Sequence, residues 1–275
     1  KKLLISAVGL LLAGSIASTT ALAQDDQEAT VFEEVIVTAT KREQSIYEVP
    51  VAVSAFTAAT IEKQGIVDLT DIGKFVPNLN VTGFSAGHTS SVNAFIRGIG
   101  LQDHLITTDP GVGVYVDGIY LGRQVGQNWS LANIERIEVL RGPQGTLYGR
   151  NSIGGAINII TKKPGGEQGG QFRATVGTRG RINGDVYFNA PLSESFAFSF
   201  TGSYTSRGGV GDFVNVDTST EVGEMKEWSG RVVARWEPSE SFSLMFAYDK
   251  NDGEGGLRPY TTFIDEVPNG FLYQS

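Results

Sequence analysis

The chain has 275 residues, a formal net charge of −8, no cysteine and two histidines. No Lys/Arg cluster follows Lys1 and Lys2, which excludes a nucleic-acid footprint. The missing cysteines exclude a disulfide framework and thiolate metal sites, and His88 and His104 are not ligand-spaced, so neither a metal centre nor a cofactor is expected.

Glycine, at 35 residues, is nearly twice the roughly 7% norm, and the aromatics gather in the C-terminal half, which suits turn-rich β structure. The chain starts at Lys1 without an initiator Met and stops at Ser275 in unpunctuated sequence; the expectation is a fragment truncated at both ends. Residues 1–23 read as a secretory signal peptide. Lys1 and Lys2 form its basic start, Leu3 to Ala17 its apolar run, and Ala21-Leu22-Ala23 its small-residue cleavage site. A single membrane anchor is disfavoured because the run is short and broken by Gly9, Gly14 and Ser15. No later segment is apolar for long enough to cross a bilayer as a helix, so spanning after export requires strands.

An acidic, Gln-rich stretch, Gln24 to Thr30, has too little apolar surface to fold alone. Glu33-Glu34-Val35-Ile36-Val37-Thr38-Ala39-Thr40 follows, a β-branched run with strand propensity. Composition leaves two readings open: a tethered strand offered to the edge of a partner's sheet, or the first strand of the next domain.

Residues 48–163 mix helices and strands. Thr57 is placed to cap a helix over Ala58 to Gln64, and Asp68 to open a second that ends before Pro77. Strands are expected at Leu79 to Phe84, Val92 to Ile99, Val112 to Val116, Ile119 to Leu121, Ile134 to Leu140 and Ala156 to Thr161. Between two of them, Asp117-Gly118 is a hairpin signal, since a type I′ turn needs positive φ at both central residues. The glycines from Gly142 to Gly155 supply turns; they are not a phosphate cradle, because no Lys-Ser or Lys-Thr follows them.

After Pro164 the texture becomes long alternating strands: Phe172 to Val176, Ile182 to Ala190, Phe196 to Tyr204, Trp228 to Trp236 and Phe242 to Tyr248. Even positions are apolar or Gly and odd ones mostly polar, the dyad of a strand with one face in lipid and one in a polar lumen. A soluble sandwich also alternates. Strands of about 9 residues, aromatics near strand ends, and tight turns (Pro191 to Ser195, Glu237 to Ser241) alternating with long polar loops favour the membrane barrel. The preceding domain, about 115 residues and roughly 30 to 35 Å across, fits as a plug only inside a barrel of about 22 strands. The fold class is therefore an α+β plug domain followed by the first strands of an antiparallel transmembrane β-barrel.

Several stretches resemble TonB-dependent receptors of the outer membrane. Glu34-Val35-Ile36-Val37-Thr38-Ala39 looks like the TonB box. Val114-Tyr115-Val116-Asp117-Gly118, the run Ile134 to Pro143, Leu147-Tyr148-Gly149 and Gly154-Gly155-Ala156-Ile157-Asn158-Ile159 are similar to the family's plug motifs, in the family's order. The resemblance implies import across the Gram-negative outer membrane, with the tail of residues 24–47 in the periplasm and a TonB C-terminal domain as partner to residues 34–39. It favours the tether reading of that run. It further implies outer-membrane lipid around the barrel and a small-molecule cargo, most commonly a ferric siderophore, with cobalamin, haem and oligosaccharide as alternatives. Arg97 and Arg141 match plug arginines that pair with barrel carboxylates and lock the plug. Ligand contacts are expected from apical loops that carry His88, His104, Asp103 and Asp109. Glu135, Arg136 and Glu138 are read as an ordinary cross-strand charge network. A passive porin or a structural outer-membrane barrel needs neither box nor plug, and no catalytic triad, metal cluster or nucleotide loop points to an enzyme.

Overall fold

Two side-chain caps start the helical part where the sequence places them. Thr57 Oγ1 accepts from the Thr60 amide and opens α1 (Ala58–Lys63), and Asp68 accepts from the amides of Thr70 and Asp71 to open α2 (Leu69–Ile72). The computed structural model describes residues 35–66, 68–83, 91–102, 107–124, 133–209 and 223–255. Within them, β1 (Ile36–Val37) pairs with β2 (Gln44–Ser45), and β4 (Leu79–Thr82), β5 (Asn93–Ile96) and β6 (Ile99–Gly100) form a small antiparallel sheet. The central sheet takes β3 (Ala52–Thr57), β7 (Val112–Val116), β8 (Ile119–Tyr120), β9 (Ile134–Arg141) and β10 (Gly155–Thr161) in the order β3-β9-β10-β7-β8. One further turn of helix, α3 (Gly145–Tyr148), lies in the glycine-rich segment.

The central sheet is buried on both faces, which is why β10 has no exposed residue. Phe56, Val114, Ile137, Val139, Ile157 and Ile159 face a core shared with α1, α2 and the small sheet. On the opposite face, Tyr115, Leu140, Tyr148 and Ala156 pack against Val37, Ala39 and Val49. Period-2 alternation alone sorts these residues between two cores.

The expected run from Val92 to Ile99 is two strands. Arg97 (φ 54°) and Gly98 (φ 80°) form a two-residue turn between β5 and β6, and Arg97's amide donates to the Asn78 carbonyl at 2.9 Å. The Asp117-Gly118 turn is as expected, with φ 49° and 83° joining β7 to β8. β3 is an addition, made mostly of small residues that alternate weakly before Phe56. The strand expected to reach Phe84 ends at Thr82 among the described residues.

The C-terminal strands β11 (Gly169–Val176), β12 (Ile182–Pro191), β13 (Phe196–Arg207), β14 (Met225–Ser239) and β15 (Phe242–Gly255) form one antiparallel meander in sequence order. The register Phe200↔Val232↔Tyr248 carries the outward apolar row across three strands. Phe172, Phe188, Phe200, Trp228, Trp236 and Phe246 are all exposed on that face. Polar odd positions, among them Asp185, Ser203, Glu227 and Arg231, line the other face, where a cavity of about 720 Å³ separates it from plug residues such as Asp68 and Thr161. At 12 to 15 residues, β13–β15 are longer than expected and exceed the roughly 9–11 needed to cross a bilayer. No described helix is long and apolar enough to span a membrane.

Candidate functional site: a docked strand and a plug–barrel ion triad

β9 reads Ile-Glu-Arg-Ile-Glu-Val-Leu-Arg, and its fifth residue is a carboxylate in a fully buried row. Glu138 lies between Ala55 and Asn158 of the flanking strands. A buried charge is tolerated only with partners that satisfy it. Its Oε1 accepts from the Thr38 amide at 2.7 Å, the Thr38 hydroxyl at 3.0 Å and Arg136 Nε at 2.9 Å, while Oε2 faces Asn158 Nδ2 at 3.4 Å. Arg136 also pairs with Glu135. The ion pairs among Glu135, Arg136 and Glu138 run within β9 and not across strands as expected, and through Glu138 they hold the segment containing Thr38.

That segment is docked on the plug, not held away from it. Val37 and Ala39 are fully buried in the second core. Val35 packs beside them, and Ile36 and Val37 pair with Ser45 and Gln44. Thr40 hydrogen-bonds Gln44. The Lys41 ammonium lies 4.1 Å from the Tyr148 ring centroid and 5.3 Å from that of Tyr115. Glu34 lies outside the described residues.

Three titrating groups surround the docked strand. Burial pushes the Tyr148 phenol well above its ordinary value, with Glu138 and Tyr115 adding to the effect, and burial likewise raises Tyr115, with Tyr120 contributing. Burial lowers Lys41 against the opposing pull of Glu138. The signs oppose. Between its lowered value and its ordinary one, Lys41 sheds its proton first in the docked state, so docking strengthens as pH rises there; the phenols, ionising first when uncovered, weaken docking above their ordinary value of 10.0. We predict that backbone exchange protection at Thr38 rises gently in mild alkali and falls above about pH 10. Tyr148→Phe should remove most of the fall and should not destabilise the plug, because the Tyr148 hydroxyl is buried without a partner. An undiminished alkaline loss in that variant refutes the assignment.

A second constellation joins the plug to the barrel strands. Asp117, in the β7–β8 turn, accepts from the amide and hydroxyl of Thr161 at 2.9 and 2.8 Å, which fixes the end of β10. The same carboxylate meets Arg231 of β14 at 2.5 Å, and Arg231 reaches Asp249 of β15 at 3.0 Å. Arg173 of β11 adds a longer contact to Glu62 of α1 at 3.4 Å. Here the plug supplies the anion and the barrel the cation, the reverse of the expected polarity.

Among the described residues, Arg97 and Arg141 pair with no carboxylate. Arg97 is exposed; Arg141 reaches only the Pro77 carbonyl, at 3.4 Å, and its Nε is buried without a partner. Asp109 is exposed and accepts from Asn151 at 3.2 Å. His88, Asp103 and His104 lie outside the described residues, and no metal-holding group of His, Asp or Glu occurs among those described.

The TonB-dependent Receptor Plug Domain family matches residues 45–156, which hold Glu138, Asp117 and all of the central sheet except the last five residues of β10. The chain belongs to the TonB-dependent receptors. The iron-regulated outer membrane virulence protein of Vibrio cholerae is 35% identical over 204 residues, covering 70% of this chain and 30% of that protein. The pesticin receptor of Yersinia pestis is 28% identical over 240 residues, covering 85% of this chain and 33% of its own length. The chain thus spans about a third of the length of these relatives. Among solved structures, the ferric yersiniabactin uptake receptor FyuA of Yersinia pestis superimposes with a TM-score of 0.62 at 23% identity, covering 74% of this chain and 32% of that one. The ferric-catecholate import receptor Fiu of E. coli K12, in its open form, gives 0.62 at 20% identity, covering 81% and 30%. These likenesses confirm the fold: a receptor plug followed by antiparallel barrel strands.

Proposed function

We propose that the chain forms the plug and first barrel strands of an energised outer-membrane importer whose cargo is a ferric siderophore. The carrying observation is the strand docked beside Glu138: it is β-branched, its ladder to β2 is two residues long, and it precedes a plug tied to the lumen-facing Arg231 of the barrel strands. In this reading residues 1–23 are an export signal, residues 24–47 lie in the periplasm, and residues 34–39 pair with the TonB C-terminal domain. Cargo captured outside favours the undocked state, since a ligand shifts an equilibrium only by binding one state better. Traction then opens a path past the plug, and no covalent step is needed.

The iron-related names of the relatives support a siderophore over cobalamin, haem or an oligosaccharide. Arg97 and Arg141 are proposed to pair with carboxylates on barrel strands beyond the five described here; the unpartnered Arg141 Nε supports this. His88, Asp103, His104 and Asp109 are proposed cargo contacts in the apical loops.

Binding of a purified TonB C-terminal domain to a peptide of residues 24–48 tests the reading, with Val37→Pro as control because it removes a strand N–H. We expect saturable binding that falls at least about tenfold in the Pro variant, or about 1.4 kcal/mol. Equal binding of both peptides, or of neither, rejects residues 34–39 as the TonB-pairing segment.

A further inference from the structure

We infer that Glu138 is a latch: a positioning residue whose buried carboxylate sets how often residues 35–41 leave the plug, and so how often they are free for a partner strand. The inference rests on the proposed TonB-pairing role of residues 34–39, and its test separates the two.

Packing does not call for a carboxylate here. Ile137, Val139 and Leu140 fill the neighbouring positions of β9, all fully buried, and an apolar residue at 138 would continue the row at no electrostatic cost. What the carboxylate adds is acceptor capacity directed at Thr38. Its bonds to Arg136 and Asn158 stay within the sheet whether or not the strand is docked; those to Thr38 cross to the strand and are lost on undocking. The hydroxyl of Thr38 also lies 3.4 Å from both Arg136 and Asn158, so one side chain reads all three sheet residues.

The donor that Glu138 occupies is a backbone amide of the strand itself. A partner adding a strand to residues 34–39 draws on such amides, so holding Thr38 and offering it for pairing are alternatives. The latch is also reversible by construction. Once Thr38 leaves, water reaches the carboxylate, and Arg136 still partners it, so undocking does not strand an unpaired charge in an apolar interior. Charge-assisted hydrogen bonds are roughly twice as strong as neutral ones, which makes the carboxylate a stronger hold than an amide of the same shape.

The test uses the full-length receptor, ligand-free, with hydrogen exchange read on peptides covering residues 35–41 and, as fold controls, β7 and β10. In Glu138→Gln we expect exchange of residues 35–41 to accelerate about tenfold, with β7 and β10 unchanged; Glu138→Ala should do more. Should Glu138→Ala lose protection throughout, Thr38→Val supplies the measurement, since it deletes the hydroxyl bonds and leaves β9 intact: about threefold acceleration is expected, and the Gln/Val double variant should be less than additive. Unchanged exchange of residues 35–41 in Glu138→Gln and Thr38→Val, or strict additivity, overturns the latch. A purified TonB C-terminal domain added to the same variants completes the separation. Faster exchange with tighter binding supports both readings; faster exchange with no binding keeps the latch and removes TonB as the partner; unchanged exchange with normal binding removes only the latch.

Discussion

Arg231→Met should lower the stability of the plug within the full-length receptor by about 3 kcal/mol, the scale seen when one partner of a buried ion pair is removed. Arg231 is about nine-tenths buried, and so is Asp117, with side-chain exposures of 11% and 14%. Removing the guanidinium leaves Asp117 and Asp249 facing each other with no cation between them. Asp117→Asn is the milder change, because Arg231 keeps Asp249 and an Asn side chain still offers an oxygen to Thr161. The order Arg231→Met worse than Asp117→Asn is therefore included in the prediction. Urea titration in detergent, followed by exchange in β7 and β10, reads it. An Arg231→Met midpoint equal to that of the unaltered receptor means the pair contributes nothing to seating the plug.

Gly155→Ala should be at least as damaging, by about 3 kcal/mol or more, and for a reason of shape alone. Gly155 has φ 147° and opens β10 opposite Arg141; a Cβ there would be driven into the Leu140 carbonyl oxygen of the neighbouring strand and would stand 2.7 Å from Ile96 Cδ1. Backbone oxygen in a paired ladder does not move aside. Gly118→Ala is the comparison: φ is 83°, but the space where its Cβ would stand is open, so only dihedral strain of about 1 kcal/mol applies. Loss of exchange protection across β9 and β10 in Gly155→Ala, with near-normal protection in Gly118→Ala, is the expected pair of results. Equal behaviour of the two variants would mean that contact with Leu140 is not what selects glycine.

The elements of the fold that are legible in the residues are those written in local chemistry. Thr57 and Asp68 cap where they stand, the Asp117-Gly118 dipeptide turns the chain, and alternation in the barrel strands sorts lipid-facing from lumen-facing side chains without any tertiary information. β3 escapes because Ala-Val-Ser-Ala alternates too weakly to mark a face. The turn at Arg97-Gly98 escapes because arginine is an unusual residue at positive φ, so the apolar run around it reads as one strand. The site is harder. Glu138 and Thr38 are 100 residues apart, and Asp117 and Arg231 are 114 apart, so no spacing rule connects them. One signal is available for Glu138: a carboxylate inside the run Ile137 to Leu140, whose other residues belong to two apolar faces. It reads as a member of an ordinary charge network, and nothing local foretells its partner across the sheet. Arg97 and Arg141 stand in recognisable motifs that suggest a locking role, whereas the motif that holds Asp117 suggests only a turn.

The order β3-β9-β10-β7-β8 also has a mechanical meaning. The docked strand leads through a short connection into β3, and β3 is an outer strand of the sheet, joined along one side only, to β9. Tension applied through residues 35–41 therefore loads the β3–β9 seam from its Ala52 end. A pull directed across the strands would break hydrogen bonds there in succession, as in opening a zipper, while β7 and β8 at the far side stay moored to the barrel through Asp117. The plug is graded from a peelable margin to an anchored one, and a pull from the N-terminal side meets the yielding margin first.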